Sequence, residues 1–170
     1  MTRHRPSLRL ALLALTLGLA VSACGGGEDG SGETMPDLTL ARLDADGELA
    51  LDELGEPAVV NLWANWCVPC RAELPEFDTV ASEVEGEVRF IGVNIGDPPD
   101  VALGLIEELD IGFEQVLDTS SDVSAELDVT SMPTTLFVDA DGSIVERYSG
   151  RLMEADLRAI LEERFGVVTG

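Results

Sequence analysis

Apolar and polar positions alternate between strand-like and helix-like spacing from about residue 37 onward. Leu38 to Leu40 and Leu49 to Leu51 are short apolar pieces on either side of Asp44-Ala45-Asp46-Gly47, the pattern of an opening hairpin. Ala58-Val59-Val60-Asn61-Leu62-Trp63 is a nearly unbroken apolar run, which predicts a central strand buried on both faces. From Cys70 the apolar positions Leu74, Phe77, Ala81 and Val84 recur at steps of four and three, one face of a helix that Pro75 should bend. Val88 to Ile95 predicts a second buried strand ending at Gly96-Asp97-Pro98-Pro99. A helix over Val101 to Leu109, a strand over Gln115 to Leu117 and a helical piece over Val123 to Leu127 follow. Thr134 to Asp139 and Ile144 to Tyr148 flank Asp141-Gly142, a hairpin turn signal. Leu157, Ile160, Leu161 and Phe165 mark a C-terminal amphipathic helix. A β-α-β start followed by a hairpin and a helix implies an α/β fold, a mixed central sheet flanked by helices on both faces.

Residues 1–23 break this rhythm. They carry Arg3, Arg5 and Arg9, then a continuous apolar run from Leu10 to Ala20, the layout of a secretory signal peptide. The run is shorter than the roughly 20 apolar residues that span a bilayer. It ends in Val21-Ser22-Ala23-Cys24, which resembles the lipobox of bacterial lipoproteins. That resemblance implies a diacylated Cys24 as the mature N-terminus and an extracytoplasmic domain held to the cell membrane by lipid; cleavage without acylation and an amphiphilic first helix of the domain are the other readings. Residues 24–36 are rich in Gly and acids and read as a flexible tether, leaving 37–170 as the folded domain.

Composition narrows the partners. The 170 residues include 33 acidic and 10 basic ones, every basic one an Arg, for a formal charge of −23. Loss of residues 1–23 removes three Arg and no acid, taking the charge to −26. An apolar fraction of 45% is that of a globular chain, so the charge does not signify disorder. The length suits one domain with a core large enough to fold without a staple. With no basic stripe, nucleic-acid binding is disfavoured.

The chemistry lies in Cys67-Val68-Pro69-Cys70, directly after a predicted strand and at the start of a predicted helix. Free N–H groups and the helix dipole favour negative charge there, and thiols in such settings have pKa values of roughly 3.5–7.5. Pro69 suits the first helical turn, where its missing N–H has no partner to lose. Cys67 is therefore expected to be the exposed nucleophile and Cys70 the more buried resolving thiol. A structural disulfide is a second reading of the bare pair. Zinc or copper binding is a third, but it needs further ligands, and the one histidine, His4, lies in the signal-like segment. No cofactor beyond the redox-active pair is called for.

Asn61-Leu62-Trp63-Ala64-Asn65-Trp66-Cys67-Val68-Pro69-Cys70-Arg71-Ala72-Glu73-Leu74-Pro75 resembles the active-site segment of the thioredoxin superfamily. More narrowly, it is similar to the TlpA/ResA-like membrane-tethered thiol–disulfide oxidoreductases, and the likeness runs from about Met35 to Phe165. Met132-Pro133-Thr134-Thr135 before a strand matches the loop that bears their cis-proline. The long stretch from Asn94 to Pro133 matches their inserted helix and strand. The resemblance implies that Met132 and Pro133 face the disulfide and pair with a substrate strand. It implies that Trp66 flanks Cys67 on the docking surface, while Trp63 belongs to the core. Glu73, three residues after Cys70 on the same helix face, matches a glutamate thought to assist proton movement. Asn61 stands where ordinary thioredoxins carry a buried acid, so proton transfer would fall to Glu73 or water. Val68 replaces a common glycine and leaves the direction of electron flow open. The implied activity is reduction of protein disulfides, for example in apocytochrome c before haem attachment, with electrons from a membrane thiol–disulfide reductant. The alternatives are an oxidant of exported proteins, or a non-catalytic binding lipoprotein. A thiol peroxidase would need Thr at the position of Ala64.

Overall fold

The computed structural model describes Met1 and residues 32–169. Residues 2–31, which hold most of the signal-like segment, Cys24 and most of the tether, lie outside the described residues. In chain order the elements are β1 (Thr39–Arg42), β2 (Glu48–Ala50), β3 (Ala58–Trp63), α1 (Val68–Glu83), β4 (Arg89–Ile95), α2 (Pro99–Leu109), β5 (Glu114–Asp118), α3 (Asp122–Glu126), β6 (Thr134–Val138), β7 (Ile144–Ser149) and α4 (Glu154–Phe165). The strands form one mixed sheet in the order β2-β1-β5-β4-β3-β6-β7. β3, β4 and β5 run parallel, and the other neighbouring strands pair antiparallel. The inserted α2 and β5 set β5 between β4 and the opening hairpin.

Both faces of the sheet are covered, as the apolar runs require. On one side Val59, Trp63, Phe90 and Phe137 pack with α1, α2 and α4 through Leu74, Phe77, Leu105 and Leu157. On the other, Val60, Leu62, Ile91 and Val93 pack with Met35, Leu40, Leu51 and the α3 residue Val123. Side chains alternate along a strand, so Asn61 shares the α1 face with Val59 and Trp63. Its pairing places a polar row across the sheet beneath that helix: Thr135 on β6, Asn61 on β3, Gly92 on β4 and Gln115 on β5. The Gln115 amide lies over Gly92, in the space a Cβ there would occupy. That gap lets Gln115 Oε1 accept from Trp63 Nε1 at 2.9 Å while its Nε2 donates to the Phe113 carbonyl at 3.2 Å.

The domain begins earlier than the composition of the tether suggests. Thr34 bridges Ser143, Met35 N–H donates to the Gly142 carbonyl, and Met35 and Pro36 are buried. One apolar side chain with a bridge partner is enough to dock a segment that is otherwise polar. Helix α1 starts at Val68 and continues through Pro75. All seven Arg of the described domain are ion-paired: Arg42 and Arg89 with Glu114, Arg71 with Glu108, Arg147 with Glu33, Arg151 with Glu76, Arg158 with Glu83 and Glu154, and Arg164 with Glu146.

Candidate active site

The parallel strands β3 and β4 end together, and β6 begins beside them, Thr134 opposite Leu62. Ligands of parallel α/β sheets bind at such carboxyl ends. The turn Ala64-Asn65-Trp66 leads from β3 into α1, and Cys67 caps the helix. Cys67 and Cys70 form a disulfide with their Cα atoms 5.3 Å apart. The Cys70 N–H points at Cys67 Sγ from 3.3 Å. After reduction the same amide and the helix N-terminus stabilise a Cys67 sulfur anion.

Cys67 is less open than expected. It is 3% exposed and Cys70 is 0%. In the oxidised pair Cys67 Sγ is bonded to Cys70 and faces the helix amide, while Trp66 at 67% and Val68 at 75% stand out on either side. The order of accessibility is as expected, but the expected open thiol is a nearly covered one. The Met132–Pro133 bond is cis, and Pro133 is buried. The Pro133 carbonyl accepts from Gly150 N–H at 2.8 Å, and Thr134 Oγ1 donates to the Ser131 carbonyl at 2.8 Å. No backbone group of the described residues pairs with the N–H or C=O of half-buried Met132.

Glu73 is wholly buried, one helical turn beyond Cys70. Its Oε1 accepts from Asn61 Nδ2 at 2.8 Å and its Oε2 from Leu152 N–H at 2.9 Å. Burial pushes its carboxyl from an ordinary 4.5 up to about 7, raised further by Glu76. The bonds from Asn61 and Leu152 and the nearby Arg151 charge hold it down against that rise. A carboxyl near 7 exchanges its proton at neutral pH. The folded state thus keeps a proton between about pH 4.5 and 7 that the unfolded chain has released, so stability falls as pH rises through that window. The wild type should lose on the order of 3 kcal/mol relative to Glu73→Gln across it. Urea unfolding of both proteins from pH 4 to 9 measures this; a difference independent of pH would remove the proton from Glu73.

Sequence reasoning missed a second positioning set. Asp97, read only as the end of a strand, is buried and accepts from Asn65 N–H at 2.6 Å and Asn94 Nδ2 at 2.8 Å. Asn65 Oδ1 in turn accepts from Arg71 at 3.2 Å. These bonds pin the turn that carries Trp66 to the end of β4 and to α1. The Gly-Asp-Pro-Pro string hints at a turn, but nothing in it points to residue 65.

The chain matches the AhpC/TSA family over residues 31–147. The thiol:disulfide interchange protein DsbE homolog of Paracoccus denitrificans is 34% identical over 128 residues, covering 74% of this chain and 69% of that protein. The thiol-disulfide oxidoreductase ResA of Bacillus subtilis is 28% identical over 127 residues, covering 73% and 70%. Among solved structures, MTB DsbF in its mixed oxidised and reduced forms is 31% identical with a TM-score of 0.65, covering 73% of this chain and 94% of that one. A DsbF homologue from Corynebacterium diphtheriae shares the fold with a TM-score of 0.70 at 21% identity, covering 79% and 88%.

Proposed function

The chain belongs to the AhpC/TSA family and is a thiol–disulfide oxidoreductase of the thioredoxin superfamily, and from this premise we propose that it reduces disulfides in exported proteins from a lipid-anchored, extracytoplasmic position. The observation that carries the reading is a Cys67–Cys70 disulfide capping a helix N-terminus, with a buried neutral-range carboxyl one turn behind it. The Cys67 thiolate attacks a substrate disulfide, forming a mixed disulfide and releasing one substrate sulfur as thiolate. Glu73 takes the Cys70 proton. The Cys70 thiolate then attacks Cys67 Sγ, the mixed disulfide breaks, and the second substrate sulfur leaves as thiolate, so that two electrons have passed from the pair to the substrate disulfide. A membrane thiol–disulfide reductant would restore the dithiol.

Trp66, Val68 and Met132 are the surface a partner would meet, and Met132 offers backbone groups, unpaired among the described residues, for an extended substrate strand. The acidity of the domain favours basic partners, among which apocytochrome c thiols fit the resemblance to TlpA/ResA-like proteins. Acylation of Cys24 would supply the anchor and the Gly-rich stretch its reach. Ala64 at the peroxidatic Thr position speaks against peroxide chemistry on this family's fold.

Cys70→Ser tests the reading. It should leave Cys67 locked in mixed disulfides whose partners mass spectrometry identifies, whereas an alkylatable Cys67 that captures no protein would end the exchange proposal. The equilibrium potential of the pair fixes the direction: below about −250 mV for a reductant, near −120 mV for an oxidant.

A further inference from the structure

Asn61 is buried in the middle of the sheet, between Glu73 on the helix above and Thr135 on the neighbouring strand, both of them buried as well. Its Nδ2 donates to Glu73 Oε1 at 2.8 Å and to Thr135 Oγ1 at 3.1 Å, so both amide hydrogens are used on these two oxygens. Its Oδ1 is buried with no hydrogen-bond partner among the described residues. Buried acceptors in native cores are nearly always paired, so an idle one asks for a reason.

We propose that the Asn61 carboxamide is the positioning partner that follows Glu73 between its two protonation states, donating through Nδ2 to the carboxylate and, turned over, accepting at Oδ1 from the carboxylic acid. The inference rests on the reading of Glu73 as the proton carrier of the exchange and names what allows a wholly buried carboxyl to carry one. A carboxylate accepts only, and a carboxylic acid must also donate. Leu152 N–H already holds Oε2, so the acid's O–H needs its acceptor on the other side, where Asn61 stands. A half turn of the amide about its last bond brings Oδ1 to that place. The Thr135 hydroxyl, acceptor in the first arrangement, becomes donor in the second. One amide atom is idle in each arrangement, Oδ1 in the first and Nδ2 in the second.

The charged and titratable groups around Glu73 leave this role to the amide. Cys70 and Glu76 lie on its own helix, and Arg151, on the loop from β7 to α4, is paired with Glu76. From the sheet side, β3 and β6 present Asn61 and Thr135, neither of them charged. An acid at position 61 would compete with Glu73 for one proton.

The test follows the Glu73 side-chain carboxyl by carbon NMR as pH is varied in the reduced full-length chain, beside the pH–rate profile of mixed-disulfide resolution. In the wild type the Asn61 side-chain amide signals should shift with the Glu73 midpoint. Asn61→Leu removes the donor to the carboxylate and should raise that midpoint by about one to two pH units. The rate profile should rise with it, slowing resolution about tenfold or more at pH 7. Asn61→Asp, similar in shape and useful should the Leu variant fold poorly, should split the titration into two steps, one below and one above the wild-type midpoint. A Glu73 midpoint unmoved by Asn61→Leu, or a single unsplit step in Asn61→Asp, overturns the inference. The two readings separate cleanly. If the midpoint moves and the rate profile stays, Asn61 tunes Glu73 but Glu73 does not carry the proton. If Glu73→Gln abolishes the neutral limb of the profile and Asn61→Leu leaves the midpoint in place, Glu73 stands and the role of Asn61 falls.

Discussion

Cys67→Ala should lower the rate of disulfide exchange by about 10⁴-fold or more, the scale on which removal of a nucleophile acts, and leave the fold in place. Of the two sulfurs, only Cys67 belongs to a residue with any exposure, while Cys70 is sealed beneath it. Only Cys67 receives the amide of the first helical turn, aimed at its sulfur from 3.3 Å. Taking it away removes both the point of attack and the anion that the helix terminus stabilises, and Cys70 cannot reach a substrate to stand in. The fold does not depend on the bridge, which closes a loop of only a few residues and adds little to stability. Single-turnover exchange with a peptide disulfide, beside a urea denaturation curve, separates the two effects. Exchange at a tenth of the wild-type rate or better would transfer the nucleophile's role to Cys70.

Trp63→Ala should cost about 3–5 kcal/mol of stability, the range for emptying a large aromatic site in a core. Trp63 is wholly buried and shares one core cluster with Cys67, Cys70, Phe77 and Phe137, so the space it leaves opens in the core that holds the disulfide. Trp63→Phe separates packing from polarity. It keeps most of the ring and orphans Gln115 Oε1, which the space above Gly92 has let in to meet the indole N–H. That orphaned acceptor should cost about 1–3 kcal/mol. Urea unfolding of both variants gives the two numbers. A Phe variant as stable as the wild type would mean that Gln115 contributes nothing through this bond.

Much of this architecture is legible in the amino-acid sequence. Apolar periods mark the strands and helices to within a few residues. The two tryptophans just before Cys67-Val68-Pro69-Cys70, together with Met132-Pro133, point to the end of the sheet where the disulfide stands. What stays hidden has a common cause in partners far apart along the chain. Glu73 has the same local pattern as any helical glutamate, because Asn61 and Leu152 lie 12 and 79 residues away. A strand buried on both faces reads as an unbroken apolar run, which conceals the side to which Asn61 points. Met35 reads as part of a tether because one anchoring side chain creates no period. The near-complete cover over Cys67 comes from the bridge to Cys70 and the turn of its sulfur toward the helix, neither of which a spacing of three encodes.

The chain's two indoles are divided between two environments. Trp63 is dry and hydrogen-bonded, and Trp66 is wet and directly next to Cys67 in sequence. An excited indole emits at short wavelength from an apolar site and at long wavelength from water, and a neighbouring disulfide quenches it by accepting an electron. Reduction of Cys67 and Cys70 therefore removes the quencher and brightens the emission, while opening of the core moves the short-wavelength part toward long wavelength. Without any added dye, the molecule reports its oxidation state in the intensity of one spectrum and its folding in the wavelength.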